Sequence, residues 1–298
     1  MDYAIAPEAD ALQLALSELQ QRFPERSVAV DGGIVSYREL VAAGEVPAAG
    51  PAQVPVYVLL HGIGSGAASW LPCALALARR VPGARILAWN APGYGKSSML
   101  AAMRPGADAY AARLRQLLTA LGIERCTLVG HSLGAMMAAA YAAGYPATLE
   151  RLVLMSPARG YGVQARQEQG AQVARERLST LGELGIHGMA TGRAARLLSE
   201  RADGAQRDWV RWNMAQLNPA GYTQAVHLLC GDAIENHAQP TLIGVAGTVW
   251  CGALDAVTTP EASREVARQY GYPFALIDAA GHACYVEQPE AAAAALAA

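Results

Sequence analysis

The sequence contains one serine in a setting that suits a nucleophile. Ser132 is the centre of the segment Gly130–Gly134, which has the pattern Gly-x-Ser-x-Gly. A serine hydroxyl is a poor nucleophile unless it is held exposed and a base removes its proton. The apolar run 127–129 before the motif predicts a strand, and the alanine-rich run 135–140 after it predicts a helix. A strand that turns sharply into a helix presents the central serine, and the flanking glycines allow the close approach that this requires.

A base and a carboxylate are needed to make Ser132 reactive, and each has a candidate. His282 and Asp255 both follow apolar, β-type runs near the C-terminal end of the sequence. In acyl transfer the histidine accepts the serine proton, and the carboxylate fixes the imidazole tautomer and stabilises its cation. Asp278 is the second candidate for the acid, although it precedes His282 too closely. We therefore predict the catalytic residues Ser132, Asp255 and His282.

The elements that position these residues are predicted by apolar runs that alternate with helical segments. Strands are predicted at 56–60, 85–89, 126–129, 151–155, 248–251 and 274–277, and helices at 70–80, 108–121, 261–270 and from 289 onward. Strands that are apolar throughout and alternate with helices indicate a parallel sheet covered on both faces. Ligands bind at the carboxyl ends of such strands, which is where Ser132, Asp255 and His282 are expected.

Before this alternation the sequence predicts a helix and a hairpin. Residues 8–23 carry leucine and phenylalanine at helical spacing, which predicts an amphipathic helix. An Asp31-Gly32 turn separates the β-type runs 27–30 and 34–37, which predicts an antiparallel hairpin. A Pro- and Ala-rich loop is expected from Pro47 to Pro55.

The pattern changes between the sixth and seventh predicted strands. Residues 158–240 contain no convincing strand, and glycines and prolines interrupt the helical patterns, which predicts several short helices. We expect a core of residues 1–157 and 241–298 with a helical cap of residues 158–240 inserted into it. Arg159, Tyr161 and Trp212 of this cap are the candidates for substrate contacts, with packing or surface exposure as the alternative.

Composition limits the function classes. The 298 residues are 53% hydrophobic and 16% charged, with a net charge of −2, so no nucleic-acid partner is expected. Five dispersed cysteines without Cys-x-x-Cys spacing give no sign of a disulfide framework or a zinc site. We find neither a signal peptide nor an apolar run of about 18 residues, so no membrane association and a cytoplasmic location are expected. The chemistry needs no metal and no organic cofactor.

Together these motifs resemble the α/β-hydrolase-fold enzymes that carry a helical cap. The resemblance extends from about Val28 to Pro289 and depends on Leu60–Gly64, Asn90–Ser97, Gly130–Gly134, Asp255 and Gly281-His282. The chain order Ser…Asp…His is the order of that family. The resemblance implies an eight-stranded, mostly parallel sheet with helices on both faces and a cap that closes the pocket. Asn90 stands where family members often carry aspartate, and we expect little effect on the chemistry.

The same resemblance implies the backbone groups that stabilise an oxyanion. One is the N–H of Leu133, directly after the nucleophile, and the other is the N–H of Ile63 in the loop after the first parallel strand. The loss of one such donor typically costs about 10²–10³ in rate. His61 belongs to a motif whose histidine is more often structural, and we expect packing or surface roles for the remaining histidines: His131, His187, His227 and His237.

We therefore expect a serine hydrolase that cleaves a small carboxylic ester or lactone through an acyl-enzyme on Ser132. Carbon–carbon bond hydrolases of aromatic ring-cleavage products are the alternative, but these often carry an aromatic residue after the catalytic histidine, where this chain has Ala283. Amide hydrolysis stays open, and a ligand receptor with little turnover is a further alternative. The expected partner is a small-molecule substrate; the sequence leaves acyl and alcohol preference and oligomeric state open.

Overall fold

The computed structural model describes residues 7–41, 54–239, 242 and 244–298, so residues 47–53 of the expected Pro47–Pro55 loop lie outside it. Its strands are β1 (Glu25–Val30), β2 (Gly33–Val41), β3 (Val56–Leu60), β4 (Arg85–Trp89), β5 (Cys126–His131), β6 (Leu149–Met155), β7 (Gly247–Gly252) and β8 (Phe274–Ile277). Its helices are α1 (Pro7–Arg22), α2 (Leu71–Arg80), α3 (Ala107–Ala120), α4 (Leu133–Gly144), α5 (Gln167–Arg193), α6 (Gly204–Ala215), α7 (Pro219–Gly231), α8 (Pro260–Tyr270), α9 (Cys284–Glu287) and α10 (Pro289–Ala297).

The strands form one eight-stranded sheet in the order β1-β2-β4-β3-β5-β6-β7-β8. β2 pairs antiparallel with β1 and β4, and all other pairs are parallel. The predicted hairpin is present, with a turn at Gly32, whose φ of 75° favours glycine. The expectation of a mostly parallel eight-stranded sheet with helices on both faces is confirmed.

Two apolar cores cover the two faces of this sheet. Val58 and Leu60 of β3 pack into the core that contains α3 and α4. Tyr57 and Leu59 of the same strand pack into the core that contains α2 and α10. Successive side chains of a strand point to opposite faces, so a strand that is apolar at every position must be covered on both sides. The parallel pairing then places the carboxyl ends of β5 to β8 along one edge.

Helix α1 extends the second core at the N-terminal side. Leu19 and Phe23 are fully buried in that core, as the helical spacing predicts. The Arg38 guanidinium donates a hydrogen bond of 2.7 Å to the Phe23 carbonyl oxygen, which fixes the end of the helix to β2. α1 also contacts α6, which belongs to the helical segment between β6 and β7.

The segment between β6 and β7 is helical and interrupted, as predicted, although not at every glycine: α6 begins at Gly204 and α7 at Pro219. α5 spans 27 residues and is broken at Gly185, where φ is 61° and ψ is −175°, whereas its backbone stays helical at Gly182 and Gly188. A glycine inside a helix costs about 1 kcal/mol, so favourable packing of the neighbouring residues can retain it. The two ends of the segment meet in an antiparallel bridge between Gly160 and Ala233.

Candidate active site

Ser132 occupies the turn between β5 and α4, as predicted. Its φ of 53° and ψ of −117° are rare for a residue with a side chain. Hydrogen bonds hold this backbone: the Ser132 N–H donates to the Met155 carbonyl oxygen at 3.0 Å, and the Ser132 carbonyl accepts from the Ala158 N–H at 3.1 Å. The surrounding structure thus maintains a local strain of the kind that is found at reactive sites.

Both flanking glycines are required by close backbone contacts. A Cβ at Gly130 would lie 2.4 Å from the Gly134 carbonyl oxygen, and a Cβ at Gly134 would lie 2.5 Å from the Leu60 carbonyl oxygen. Any side chain at either position would therefore push α4 away from β5 or β3. The Gly-x-Ser-x-Gly pattern reflects this packing of the helix start against the strand ends.

Asp255 and His282 form a buried hydrogen-bonded pair. The His282 Nδ1 lies 2.9 Å from the Asp255 Oδ2, and neither side chain is more than 4% exposed. The Asp255 Oδ1 accepts from the N–H groups of Val257 and Thr258 at 2.8 and 2.9 Å. Burial alone would raise the pKa of Asp255. The hydrogen bond and the charge of His282, together with the hydrogen bonds from these two amides, outweigh burial and hold the pKa well below its usual range.

Thr258 is a further contact of this pair. Its hydroxyl oxygen lies 2.9 Å from the Asp255 Oδ2, 2.9 Å from the Ser156 carbonyl oxygen and 3.1 Å from the His282 Nδ1. The hydroxyl has one proton, so it can donate to only one of the two oxygens at a time. The sequence analysis did not identify Thr258, because threonine three residues after the aspartate is not itself a signal for catalysis.

A glycine contact brings the loops of Asp255 and His282 together, and His131 at the end of β5 binds the His282 loop. A Cβ at Gly252 would lie 2.1 Å from the Gly281 carbonyl oxygen, so these loops pack backbone to backbone. The His131 Nε2 donates to the His282 carbonyl oxygen at 2.8 Å. Burial, together with the charge of His282, lowers the pKa of His131 to about 3, so this histidine is neutral near pH 7.

His61 fixes the loop that follows β3. Its Nε2 accepts from the Ala91 N–H at 3.1 Å, so its Nδ1 carries the proton that is donated to the Gly62 carbonyl oxygen at 2.8 Å. The hydroxyl of Tyr94 donates to the Ile63 carbonyl oxygen at 3.0 Å. In a trans peptide the N–H points opposite to the C=O, so the Ile63 N–H points away from the His61 ring.

The side chain of Asn90 supports the surrounding loops and does not contact the Asp255–His282 pair. Its amide nitrogen donates to Ser36 Oγ at 2.9 Å and to Glu25 Oε1 at 3.0 Å, while its Oδ1 accepts from the Ala67 N–H at 2.9 Å. An aspartate could not donate the first two bonds. The asparagine therefore suits the partners that this chain provides.

Comparison with known proteins agrees with this architecture. A family model described as alpha/beta hydrolase fold matches residues 55–289. The chain belongs to this family. The solved structure of an enol-lactonase from Burkholderia xenovorans LB400 matches with a TM-score of 0.77 at 22% identity, over 91% of this chain and 98% of that one. A thermophilic esterase from Thermogutta terrifontis, with malate bound, matches with a TM-score of 0.74 at 22% identity, over 92% and 96%.

Curated relatives match a shorter stretch of this α/β-hydrolase-fold chain. A 2-hydroxy-6-oxononadienedioate/2-hydroxy-6-oxononatrienedioate hydrolase of Paraburkholderia phymatum is 39% identical over 108 residues, which is 35% of this chain and 36% of that protein. The alignments with the first curated relatives span about a third of those proteins' length. The solved structures, at 22% identity, establish the fold alone.

A cavity of about 690 Å³ lies between the strand ends and the helical segment of this α/β hydrolase. Ser132 and His282 line it, together with Ile63 and Leu133, whereas Asp255 lies behind His282. Asp278, the second candidate for the acid, is exposed at the end of β8. The structure therefore places the nucleophile and base candidates at one cavity, with the Asp255 carboxylate on the far side of the imidazole.

The predicted substrate contacts divide into two groups. Arg159 and Tyr161 line the cavity. Trp212 does not: it stacks on Trp209, with ring centroids 5.3 Å apart, and lines a separate cavity of about 270 Å³ between α1, α5 and α6. The expectation for Trp212 was therefore wrong, because its turn of α6 faces α1 rather than the strand ends.

Four more arginines line the large cavity: Arg166, Arg177, Arg193 and Arg196. None of them was predicted from the sequence as a substrate contact. They are distributed over α5 and the short turns at its two ends. Their exposure to the cavity depends on how α5 packs on α7, which periodicity in the sequence does not specify. The sequence offered no signal for these four, since arginines are equally dense elsewhere, as at Arg201, Arg207 and Arg211.

A buried carboxylate connects the helical segment to the His282 loop. The Glu287 side chain accepts from the Gly281 N–H at 2.7 Å and from the Ser199 N–H and hydroxyl at 3.1 and 2.5 Å. Within the described ranges, no group of three or more His, Cys, Asp or Glu side chains is arranged to hold a metal ion. No helix among those residues is long and apolar enough to cross a membrane.

Proposed function

We propose that the protein is a serine hydrolase that cleaves a small carboxylic ester or lactone through an acyl-enzyme on Ser132. The observation that carries the proposal is the buried His282–Asp255 hydrogen bond of 2.9 Å behind the cavity that Ser132 and His282 share. A nucleophile, a base and an orienting carboxylate are the groups that acyl transfer needs. The family membership and the fold of the esterase and the enol-lactonase support the same reaction class.

In the proposed first half-reaction, the Ser132 oxygen attacks the substrate carbonyl carbon while the His282 Nε2 accepts the hydroxyl proton. The Nδ1 proton of His282 stays on the nitrogen and is hydrogen-bonded to the Asp255 Oδ2, so the carboxylate stabilises the imidazolium without taking its proton. The tetrahedral intermediate then expels the alkoxide, which receives the proton from the His282 Nε2. In a lactone the alkoxide stays attached to the acyl chain.

The N–H groups of Ile63 and Leu133 are the proposed donors to the oxyanion. Both residues line the cavity, and Leu133 begins α4, where N–H groups and the positive end of the helix dipole favour negative charge. The hydrogen bonds of His61 and Tyr94 on the peptides around Ile63 support a fixed direction for its N–H. A donor that is already oriented costs no reorganisation when the charge develops.

In the second half-reaction, His282 removes a proton from water, the hydroxide attacks the acyl-enzyme, and Ser132 recovers its proton. Residues 158–240 act in this proposal as a cap that limits the access of bulk water and shapes the pocket. The apolar side chains that line the same cavity as Ser132, such as Leu197, Leu198 and Met214, suit the hydrocarbon part of a small acyl group.

The test is turnover of p-nitrophenyl esters from acetate to octanoate by the wild type and by Ser132→Ala. We expect kcat to fall by about 10⁴–10⁶ in Ser132→Ala and by about 10²–10⁴ in Asp255→Asn. Ser179→Ala is the matched control, because Ser179 is exposed on α5 and does not line the cavity. A fluorophosphonate should label Ser132 and no other serine, as mapped by mass spectrometry of peptides. A Ser132→Ala variant with more than a tenth of the wild-type activity would refute the assignment.

Hydrolysis of a carbon–carbon bond is the second candidate. The relative of Paraburkholderia phymatum is named as a hydrolase of an oxononadienedioate, and the cavity here has a cationic side that suits dianionic substrates. Rapid decay of a dienol ring-cleavage product, together with slow turnover of every p-nitrophenyl ester, would favour this reaction. The opposite pattern would favour the ester or lactone.

A further inference from the structure

Five arginines line the cavity, and they fall into two groups by their partners. Arg159 and Arg166 share the single carboxylate of Glu235 as their counter-charge, with nitrogen–oxygen distances of 2.6 Å and 2.8 Å. Arg177, Arg193 and Arg196 have no carboxylate within 4.0 Å in the described part of the chain, although the charge of Glu176 reaches Arg193. We call these three residues the arginine cluster.

The members of the arginine cluster are close enough to repel one another. Burial lowers the pKa of Arg193, and the charges of Arg177 and Arg196 lower it further, against the opposing effects of Tyr222 and Glu176. Arg193 is half-buried at the end of α5, and Arg196 is more exposed in the turn that follows. Like charges that are gathered without a counter-charge are unfavourable, and an anion bound among them removes that cost.

One contact of the cluster fixes the position of Arg177. The Arg177 guanidinium donates to the Tyr222 hydroxyl oxygen at 3.1 Å, which connects α5 to α7 across the cavity wall. The hydroxyl is a neutral partner, so the charge of Arg177 stays available. Guanidinium groups present paired N–H donors that match the two oxygens of a carboxylate.

We propose that the arginine cluster binds a carboxylate of the substrate, so that the natural ester or lactone is an acid anion rather than a neutral molecule. This inference rests on the proposed function, because the anion is placed in the cavity that holds Ser132 and His282. The side chains of Met214 and Leu197 lie against Gly64, next to Ile63, where a Cβ would be 2.9 Å and 3.7 Å from them, and the cluster supplies the charged part of the lining. The substrate class is therefore an ester or lactone with a carboxylate on its acyl chain.

The first test compares two p-nitrophenyl esters of nearly equal shape, the mono-ester of glutaric acid and the ester of glutaramic acid. They differ by a carboxylate against a primary amide, so the ratio of their kcat/KM values reports charge recognition. We expect a ratio of about ten or more in the wild type, and a fall of about tenfold or more in Arg193→Gln/Arg196→Gln, as for the loss of charged hydrogen bonds. The ratio should also fall with increasing ionic strength.

Arg175→Gln is the matched control for the double variant. Arg175 is also on α5, but it is exposed, bonds to Gln172 and does not line the cavity. The ratio should stay at its wild-type value in Arg175→Gln. An equal ratio in the wild type and the double variant would overturn the inference, even when Ser132-dependent turnover of both esters confirms the hydrolase.

A second test does not depend on turnover. Glutarate should raise the thermal unfolding midpoint of Ser132→Ala and of Ser132→Ala/Arg175→Gln, because a ligand that binds only the folded state stabilises it. Glutarate at the same concentration should not change the unfolding midpoint of Ser132→Ala when Arg193 and Arg196 are also replaced by glutamine. If glutarate has no effect on Ser132→Ala at 10 mM, or the same effect on all variants, the cluster does not bind carboxylates. This outcome is distinct from a failure of Ser132 to react with a fluorophosphonate, which would count against the proposed function alone.

Discussion

Gly93 and Gly221 meet backbone to backbone: a Cβ at Gly221 would lie 2.0 Å from the Gly93 carbonyl oxygen, and a Cβ at Gly93 would lie 2.5 Å from the Gly221 Cα. Gly93 is in the loop after β4, and Gly221 is in the first turn of α7. The helical segment between β6 and β7 thus rests directly on a core loop. Because Tyr222 and Leu229 of α7 line the cavity, this contact also sets one of its walls.

We predict that Gly221→Ala lowers the free energy of unfolding by about 1–3 kcal/mol, since the added methyl group must displace α7 from the loop. Gly231→Ala is the control on the same helix, because nothing lies within 4 Å of a Cβ at Gly231. The control should stay within about 1 kcal/mol of the wild type. Urea unfolding followed by far-ultraviolet circular dichroism measures both. Equal stabilities of the two variants would mean that α7 does not rest on Gly93.

Thr258 is predicted to position the Asp255–His282 pair. Thr258→Val removes the hydroxyl that contacts both the Asp255 Oδ2 and the His282 Nδ1, while it keeps the shape of the side chain. We expect kcat on p-nitrophenyl butyrate to fall about tenfold with little change in KM, which is the loss of one hydrogen bond of about 1.4 kcal/mol. Thr258→Ser restores the hydroxyl and should restore most of kcat. A valine variant with the wild-type kcat would show that the hydroxyl serves only the Ser156 carbonyl.

The sheet and the location of the site were predictable from the sequence for one physical reason. Apolar runs that alternate with helices can bury both faces only in a parallel sheet, and parallel strands place their carboxyl ends at one edge. Ser132, Asp255 and His282 each follow such a strand, so their location at the same edge of the sheet could be predicted without knowledge of the packing. The glycines that flank these positions mark the close contacts between the loops.

The cavity wall was not predictable in the same way. Whether Arg193 or Trp212 faces the cavity depends on the rotation of α5 and α6 against their neighbours, and periodicity does not fix this for helices with polar residues on most sides. Of the glycines that were expected to interrupt this segment, Gly185 breaks α5, whereas Gly182 and Gly188 stay helical. Thr258 was missed because its role depends on the Asp255 loop, whose shape is set by hydrogen bonds to the carboxylate itself.

Glu235 is predicted to restrain the charge of the cavity as well as to stabilise the helical segment. Its carboxylate accepts hydrogen bonds from Arg159 and from both terminal nitrogens of Arg166. Burial would raise the pKa of Glu235, but these hydrogen bonds outweigh burial and lower it. Glu235→Gln should lower the free energy of unfolding by about 1–3 kcal/mol, since two partly buried guanidinium groups lose their counter-charge. The ratio of glutarate to glutaramate ester turnover should rise, because Arg159 and Arg166 then attract anions too.

Glu150→Gln is the control for this change. Glu150 pairs with Arg125, both side chains are exposed and neither lines the cavity, so its replacement should cost less than about 0.5 kcal/mol and leave the ester ratio unchanged. Urea unfolding and the two p-nitrophenyl esters provide the readouts. An unchanged ester ratio in Glu235→Gln would mean that Arg159 and Arg166 do not contribute to the potential of the cavity.

Acid sensitivity is predicted from the buried histidines. Burial lowers the pKa of His61 to about 4, whereas an unfolded histidine titrates near 6.5. Between these values the unfolded state binds a proton that the folded state does not, so the free energy of unfolding decreases as the pH falls from about 6.5 toward 4. His131, whose pKa is lowered to about 3, acts in the same direction. Each can contribute up to about 1.4 kcal/mol per pH unit.

The measurement is urea unfolding of the wild type and His61→Gln at several pH values between 7.5 and 5. The variant loses the hydrogen bonds to Gly62 and Ala91 and is less stable at neutral pH, but its stability should decline more slowly on acidification. We expect the difference in slope to be about 1 kcal/mol per pH unit between pH 6 and 5, where an unfolded histidine is mostly protonated. Parallel curves for the two proteins would mean that His61 takes up its proton in the folded state, and the tautomer that orients the Ile63 peptide would then not persist at acidic pH.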